Sequence, residues 1–106
     1  MSNEISTAKS KLVTMLACWT LQSRVEDLLA ELGVRDYSVS LVDVRGHGQG
    51  RKFGALESGN VKVEALVNAA DAARILQTID ADAELEVTAF VYDVQTAGLA
   101  GRSRAA

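Results

Sequence analysis

The segment VRGHGQGRKFGALESGN, Val44 to Asn60, concentrates the residues best suited to chemistry. It holds five of the chain's eight glycines (Gly46, Gly48, Gly50, Gly54, Gly59), its one histidine, His47, and the cations Arg45, Arg51 and Lys52. Glycine reaches backbone conformations that other residues resist, so successive N–H groups can turn inward around an anion. Gly46, His47, Gly48 and Gln49 are the candidates for such a nest. The planar guanidinium groups of Arg45 and Arg51 match two oxygens of a phosphate or a bicarbonate ion. Each charge-assisted hydrogen bond contributes about 1.5–3 kcal/mol, so a few give micromolar affinity once ordering is paid for. A loop that orders when filled presents a partner with two distinguishable surfaces. Read more plainly, the same loop is a solvated connection and His47 an exposed side chain, although an imidazole is also a group that could sense pH.

Reaction machinery is missing beside this loop. Hydrolysis needs a placed nucleophile or base, yet only His47 and Asp43 lie near the nest, with no Cys-His or Ser-His-Asp pairing in sight. The chain is therefore expected not to be an enzyme, and a small phosphate-ester hydrolase is kept as an alternative. One cysteine excludes an internal disulfide, and no His/Cys spacing suggests zinc. Cys18 and Trp19 are expected in the core or an interface.

The elements that must position the loop follow from periodicity. Lys11 to Cys18 (KLVTMLAC) reads as a buried strand. Thr20 is placed to cap a helix carrying Leu21, Val25, Leu28, Leu29 and Leu32 on one face, ended by Gly33. Tyr37 to Val44 alternates and is rich in β-branched residues, a second strand. After the loop, Val61 to Val67 (VKVEALV) predicts a third, with Lys62 and Glu64 side by side as a surface ion pair or as packing at a subunit cleft. Asn68, three residues before Asp71, caps a second helix whose buried stripe is Ala72, Ile75, Leu76 and Ile79. A short turn, DADAE, leads to a fourth strand, Leu85 to Val94. Residues 1–10 form a loose leader and 95–106 a flexible tail whose Arg102 and Arg104 either fold over a phosphate or simply add charge.

The order βαββαβ, with right-handed crossovers, predicts a ferredoxin-like α+β domain over 11–94: a four-stranded antiparallel sheet with two helices on one face. Nothing in the chain covers the other face, and apolar residues on it predict an oligomer. At 106 residues this is one domain. No apolar run approaches the roughly 20 residues of a membrane span, and the polar start MSNEISTAKSK is unlike a secretory signal, so a cytoplasmic protein without direct membrane insertion is expected. A net charge of −3 argues against nucleic acid. RNA-recognition domains share the strand order but stack bases on aromatic residues of the central strands, which VKVEALV lacks.

DVRGHGQG leaving the second strand, NVKVEALV as the third and AFVYDV as the fourth resemble the PII-like signal-transduction proteins, across about Lys11 to Val94. The resemblance implies a homotrimer of ferredoxin-like subunits, an adenine nucleotide in each subunit cleft, and a signalling T-loop, here at about 45–59. Nitrogen-regulatory members carry a glycine- and lysine-rich loop before the fourth strand that grips ATP phosphates. Here that stretch is DADAELE, and the T-loop lacks the tyrosine some of them modify. The chain is thus more similar to the branch associated with bicarbonate transport and carboxysomes, which implies AMP or ADP with bicarbonate as ligands and a transporter or carboxysome-related partner. A nitrogen-regulatory protein binding ATP or ADP is the alternative. The second strand is two residues longer than the nitrogen-regulatory pattern, so the polar residue facing adenine is Ser38 or Ser40, accompanied by Leu66 and by Val87 or Phe90. Arg45, Gly46, His47 and Gly48 would meet the phosphates. Gly46, His47, Gly48, Gln49 and Arg51 would hold bicarbonate or phosphate. No metal site is implied.

Overall fold

Strand β1 (Lys11–Cys18) is mostly apolar and largely buried, and is paired on both sides. The computed structural model describes residues 10–43 and 59–98. After β1 come a 3-10 turn (Trp19–Leu21), α1 (Gln22–Glu31), β2 (Tyr37–Val42), β3 (Asn60–Val67), α2 (Ala69–Ala81) and β4 (Thr88–Asp93). The strands form one antiparallel sheet in the order β2-β3-β1-β4. This is the expected ferredoxin-like βαββαβ arrangement.

Register decides which side chains each face receives. Val13 lies opposite Ala65 and Val91, and Met15 opposite Val63 and Ala89. These residues meet Val25, Leu28 and Leu29 of α1 and Ala72 and Ile75 of α2 in a single core. Burying each aliphatic side chain of this kind contributes about 1.5–3 kcal/mol. Val34 and Leu85 close the ends of that layer.

Caps and turns place the helices. Gly33 has φ +80, which ends α1 in a conformation that glycine adopts without strain. At the start of α2 the Asn68 side chain accepts from the Asp71 backbone N–H at 2.8 Å, the cap expected from the sequence. Thr20 does not do the same for α1. It lies inside the 3-10 turn, its hydroxyl donates to Cys18 Sγ at 3.3 Å, and α1 starts at Gln22 with no side-chain cap.

Four strand ends differ from expectation, one of them the end of β4, at Asp93 and not Val94. β2 stops at Val42, opposite Asn60, where β3 begins one residue earlier than expected. β4 starts at Thr88 because the ladder with β1 begins at its pair with Leu16. Upstream, the Leu85 N–H donates to the Asp82 carbonyl in a turn, and its side chain is buried against the helices. On α2, Ala72 and Ile75 are buried, whereas Leu76 stands at the stripe's margin, 36% exposed. Trp19, expected in the core or an interface, is 50% exposed, while Cys18 is buried.

Candidate functional site

The sheet face away from the helices is where most of the described site candidates gather. On β2, Ser38 lies opposite Glu64 and Ser40 opposite Lys62. Across β3, Glu64 is opposite Thr14 and Lys62 opposite Leu16, and β4 completes the rows with Phe90 and Thr88. Two rows therefore cross the face: Ser38, Glu64, Thr14, Phe90, and Ser40, Lys62, Leu16, Thr88. Leu66 is opposite Leu12, which is opposite Tyr92, in a third row.

A polar group sits at the centre of this surface. Thr14 Oγ1 donates to Glu64 Oε2 at 3.3 Å, and Lys62 Nζ lies 3.9 Å from Glu64 Oε1. Both charged side chains are about one-third exposed (35% and 32%), so the pair contributes about 0–1 kcal/mol and serves position more than stability. Around it are Leu12, Leu16, Leu66, Phe90 and Tyr92, the last two 40% and 52% exposed.

The rows show which candidates come together. Ser38, Ser40 and Leu66 share one side of the face, on β2 and β3. Phe90 is on the same face but at the opposite edge, three strand spacings of about 4.8 Å away. Within one protomer the two edges do not meet. Val87 precedes β4 and packs against the core on the helix side, beside Leu76 and Ile79. It is thus separated from Phe90 by the sheet itself. Arg45, Gly46, His47, Gly48, Gln49 and Arg51 lie outside the described residues.

Two residues passed over in the sequence belong to this picture. Arg35 joins Leu66, Asp36 and Asn68 around a hollow of about 320 Å³ at the end of β3. Asn60, opposite Cys18 and Val42, is 4% exposed, and its Oδ1 has no hydrogen-bond partner among the described residues. The sequence carried a signal for Asn60: it shares parity with Lys62 and Glu64, and residues two apart on a strand face the same way. Among the described residues there is no group of three or more His, Cys, Asp or Glu arranged to hold a metal ion, and no helix is long and apolar enough to cross a membrane.

The family model described as nitrogen regulatory protein P-II matches residues 10–102. Among solved structures, a PII-like signaling protein from Thermus thermophilus is 28% identical, with a TM-score of 0.65 over 84% of this chain and 89% of that one. CPII from Thiomonas intermedia, a nitrogen regulatory PII-like protein bound to ADP, AMP and bicarbonate, is 17% identical, with a TM-score of 0.67 over 87% and 97% of the two chains. The same protein bound to ADP, AMP and acetate gives a TM-score of 0.68 over 87% and 92%, again at 17% identity. No curated protein matches.

Proposed function

The chain belongs to the nitrogen regulatory protein P-II family, and on that premise we propose that it is a sensor of AMP or ADP together with bicarbonate. It works as a homotrimer in the cytoplasm and signals through the loop at about 45–59 to a bicarbonate transporter or carboxysome-related partner. The reading places it in the carbon-linked branch. It is supported by CPII, a structural neighbour bound to ADP, AMP and bicarbonate, and by the short acidic segment Asp82–Glu86, which offers nucleotide phosphates neither glycine nor lysine.

The observation that carries the clefts is the separation of the site's two halves. Ser38, Ser40 and Leu66 occupy one side of the sheet face away from the helices and Phe90 the far edge. A head-to-tail arrangement of copies brings the β2 edge of one protomer to the β4 edge of the next, and a rotation of a third of a turn per copy closes such heterologous contacts into a three-membered ring. Adenine then lies against Leu66 and Ser38 or Ser40 of one protomer, with Phe90 of its neighbour on the other side. Arg45, Gly46, His47 and Gly48 take the phosphates, and Gln49 and Arg51 join them around bicarbonate. No catalytic step is required of any of these groups.

Calorimetry of the purified protein with AMP, ADP, cyclic AMP and ATP, each with and without bicarbonate, tests the proposal. Heat is expected with AMP or ADP, increased or shifted by bicarbonate. Absence of heat with every nucleotide defeats the reading; binding of ATP alone, unaffected by bicarbonate, returns the chain to the nitrogen-regulatory alternative.

A further inference from the structure

Among the described residues, the side-chain oxygen of Asn60 is the buried side-chain polar atom left without a hydrogen-bond partner. That is a state that native structures rarely tolerate without a water, ion or ligand to complete it. Register gives its surroundings. Asn60 lies between Val42 on β2 and Cys18 on β1, whose Sγ accepts from Thr20 Oγ1 at 3.3 Å. Two residues on, about 6.8 Å along the strand, Lys62 occupies the same face directly opposite Ser40. The Lys62 ammonium is held only loosely by Glu64, at 3.9 Å. Ser40 is exposed and Lys62 half-buried.

These three groups define an unusual demand. Lys62 Nζ donates and carries positive charge, Ser40 Oγ can donate, and Asn60 Oδ1 can only accept. An adenine amine would satisfy the acceptor but has no use for the cation. Acetate or nitrate would satisfy the cation and leave the acceptor unpaired. A small anion that keeps one O–H offers a donor to Asn60 and acceptors to Lys62 and Ser40.

We propose that Asn60 reads the proton of a small oxyanion: its Oδ1 accepts the O–H of bicarbonate or hydrogenphosphate, while Lys62 Nζ and Ser40 Oγ hold the remaining oxygens. The inference rests on the sensor reading above and adds to it a residue that distinguishes protonated from fully aprotic anions. It also divides the two serines: Ser40 goes to the anion, and Ser38, opposite Glu64 and nearer Leu66, is left for the base.

The test uses the full chain with ADP present and titrates bicarbonate, inorganic phosphate, acetate and nitrate in turn. At one pH where bicarbonate predominates, the wild-type protein is expected to bind bicarbonate, phosphate or both roughly tenfold more tightly than acetate or nitrate, the factor that one satisfied hydrogen bond supplies. The arms separate free bicarbonate from free phosphate as the source of the ion. Asn60→Leu, close in shape but without polar atoms, is expected to abolish most of that preference. The melting temperature of the ligand-free Asn60→Leu protein should stay level or rise, because an unpaired buried polar group has been removed. Asn60→Ala, which adds no bulk, should lose the preference in the same way. ADP binding, followed alongside, reports that each variant is folded.

A preference that survives in both variants overturns the role of Asn60 and leaves the sensor reading standing. So does a lower melting temperature of ligand-free Asn60→Leu, since that means Oδ1 already has a partner, such as a second copy of the chain. If none of the four anions binds the wild type while ADP does, the subsite and the bicarbonate part of the sensor reading fall together. If ADP fails as well, the whole reading falls.

Discussion

Tyr37 shows how one side chain ties an edge strand to a helix. It lies opposite Ala65 on the helix side of β2 and packs against the core. Its phenol donates to the Glu26 carboxylate, which also accepts from Gln22 Nε2 at 2.9 Å. Loss of water around the phenol, and then the negative charge of Glu26, hold its pKa above the usual value of about 10. In the unfolded chain the phenol ionises first, so folding keeps a proton that unfolding releases. The resulting stability is fully present below pH 10 or so and is lost as pH climbs through the higher folded value. Urea unfolding followed from about pH 9 to about pH 11 should therefore show a steeper decline for the wild type than for Tyr37→Phe; equal slopes would refute the assignment. Residue identity alone did not announce this pair, since Glu26 and Tyr37 are brought together by the α1 crossover. Thr20 marks the same limit. A threonine before an apolar helical stripe suits a cap, but here the hydroxyl finds Cys18 Sγ and the chain spends three residues in a 3-10 turn instead. Gly33 and Asn68 were legible because each answers a purely local need, a positive φ and an unpaired N–H.

At the scale of elements, α2 depends on that local need being met. Asn68 sits with φ −84 and ψ 173, outside the helix, and its side chain satisfies the Asp71 N–H that no carbonyl inside the helix can reach. Asp71 adds a negative charge in the first turn, where the helix dipole favours it. Asn68→Ala is expected to lower stability by about 1 kcal/mol, and Asn68→Asp to keep most of it, as read from urea midpoints at constant slope. An unchanged midpoint in the alanine variant would mean that solvent caps the helix as well as Asn68 does. β1 was legible as a largely buried run and β3 by its alternation, almost to the residue. The reason is that Val13, Met15 and Ala17 of the one and Val61, Val63, Ala65 and Val67 of the other are buried on one face. β4 was harder. LEVTAFVYDV looks continuous, yet only Thr88–Asp93 pairs with β1, and Leu85 is drawn into the helix layer by a turn at Asp82. Leu76 fits the helical stripe on paper but flanks it in space, since Ala72, Ile75 and Ile79 already fill the groove over the sheet.

The whole molecule has one sheet face that no described helix covers, and this is where the site was only half legible. The ferredoxin-like arrangement followed from the order βαββαβ. What a single chain cannot express is that Ser38 and Phe90 stand at opposite ends of one row, so that a pocket using both must be built from two copies. The surface suits such an assembly. Leu12, Leu16 and Leu66 lie on its central strands, Phe90 and Tyr92 at its margin, and Lys62, Glu64 and Thr14 form a polar group in the middle. A stable contact buries about 800 Å² per partner. An apolar face with a charged centre penalises wrong registers, because a misplaced copy would bury Lys62 or Glu64 against leucine. Leu16 is the sensitive position, half-buried and opposite Lys62, yet outside the helix-side core. Leu16→Lys sets a second ammonium beside the first without opening a cavity under the helices. Light scattering coupled to size exclusion should give the wild type three times the mass of its chain and the variant close to one, with the helical circular dichroism signal retained. A wild-type chain that elutes at its own mass would leave the uncovered leucines in water and the two halves of the nucleotide cleft unjoined, and the proposed sensor would have no place to bind.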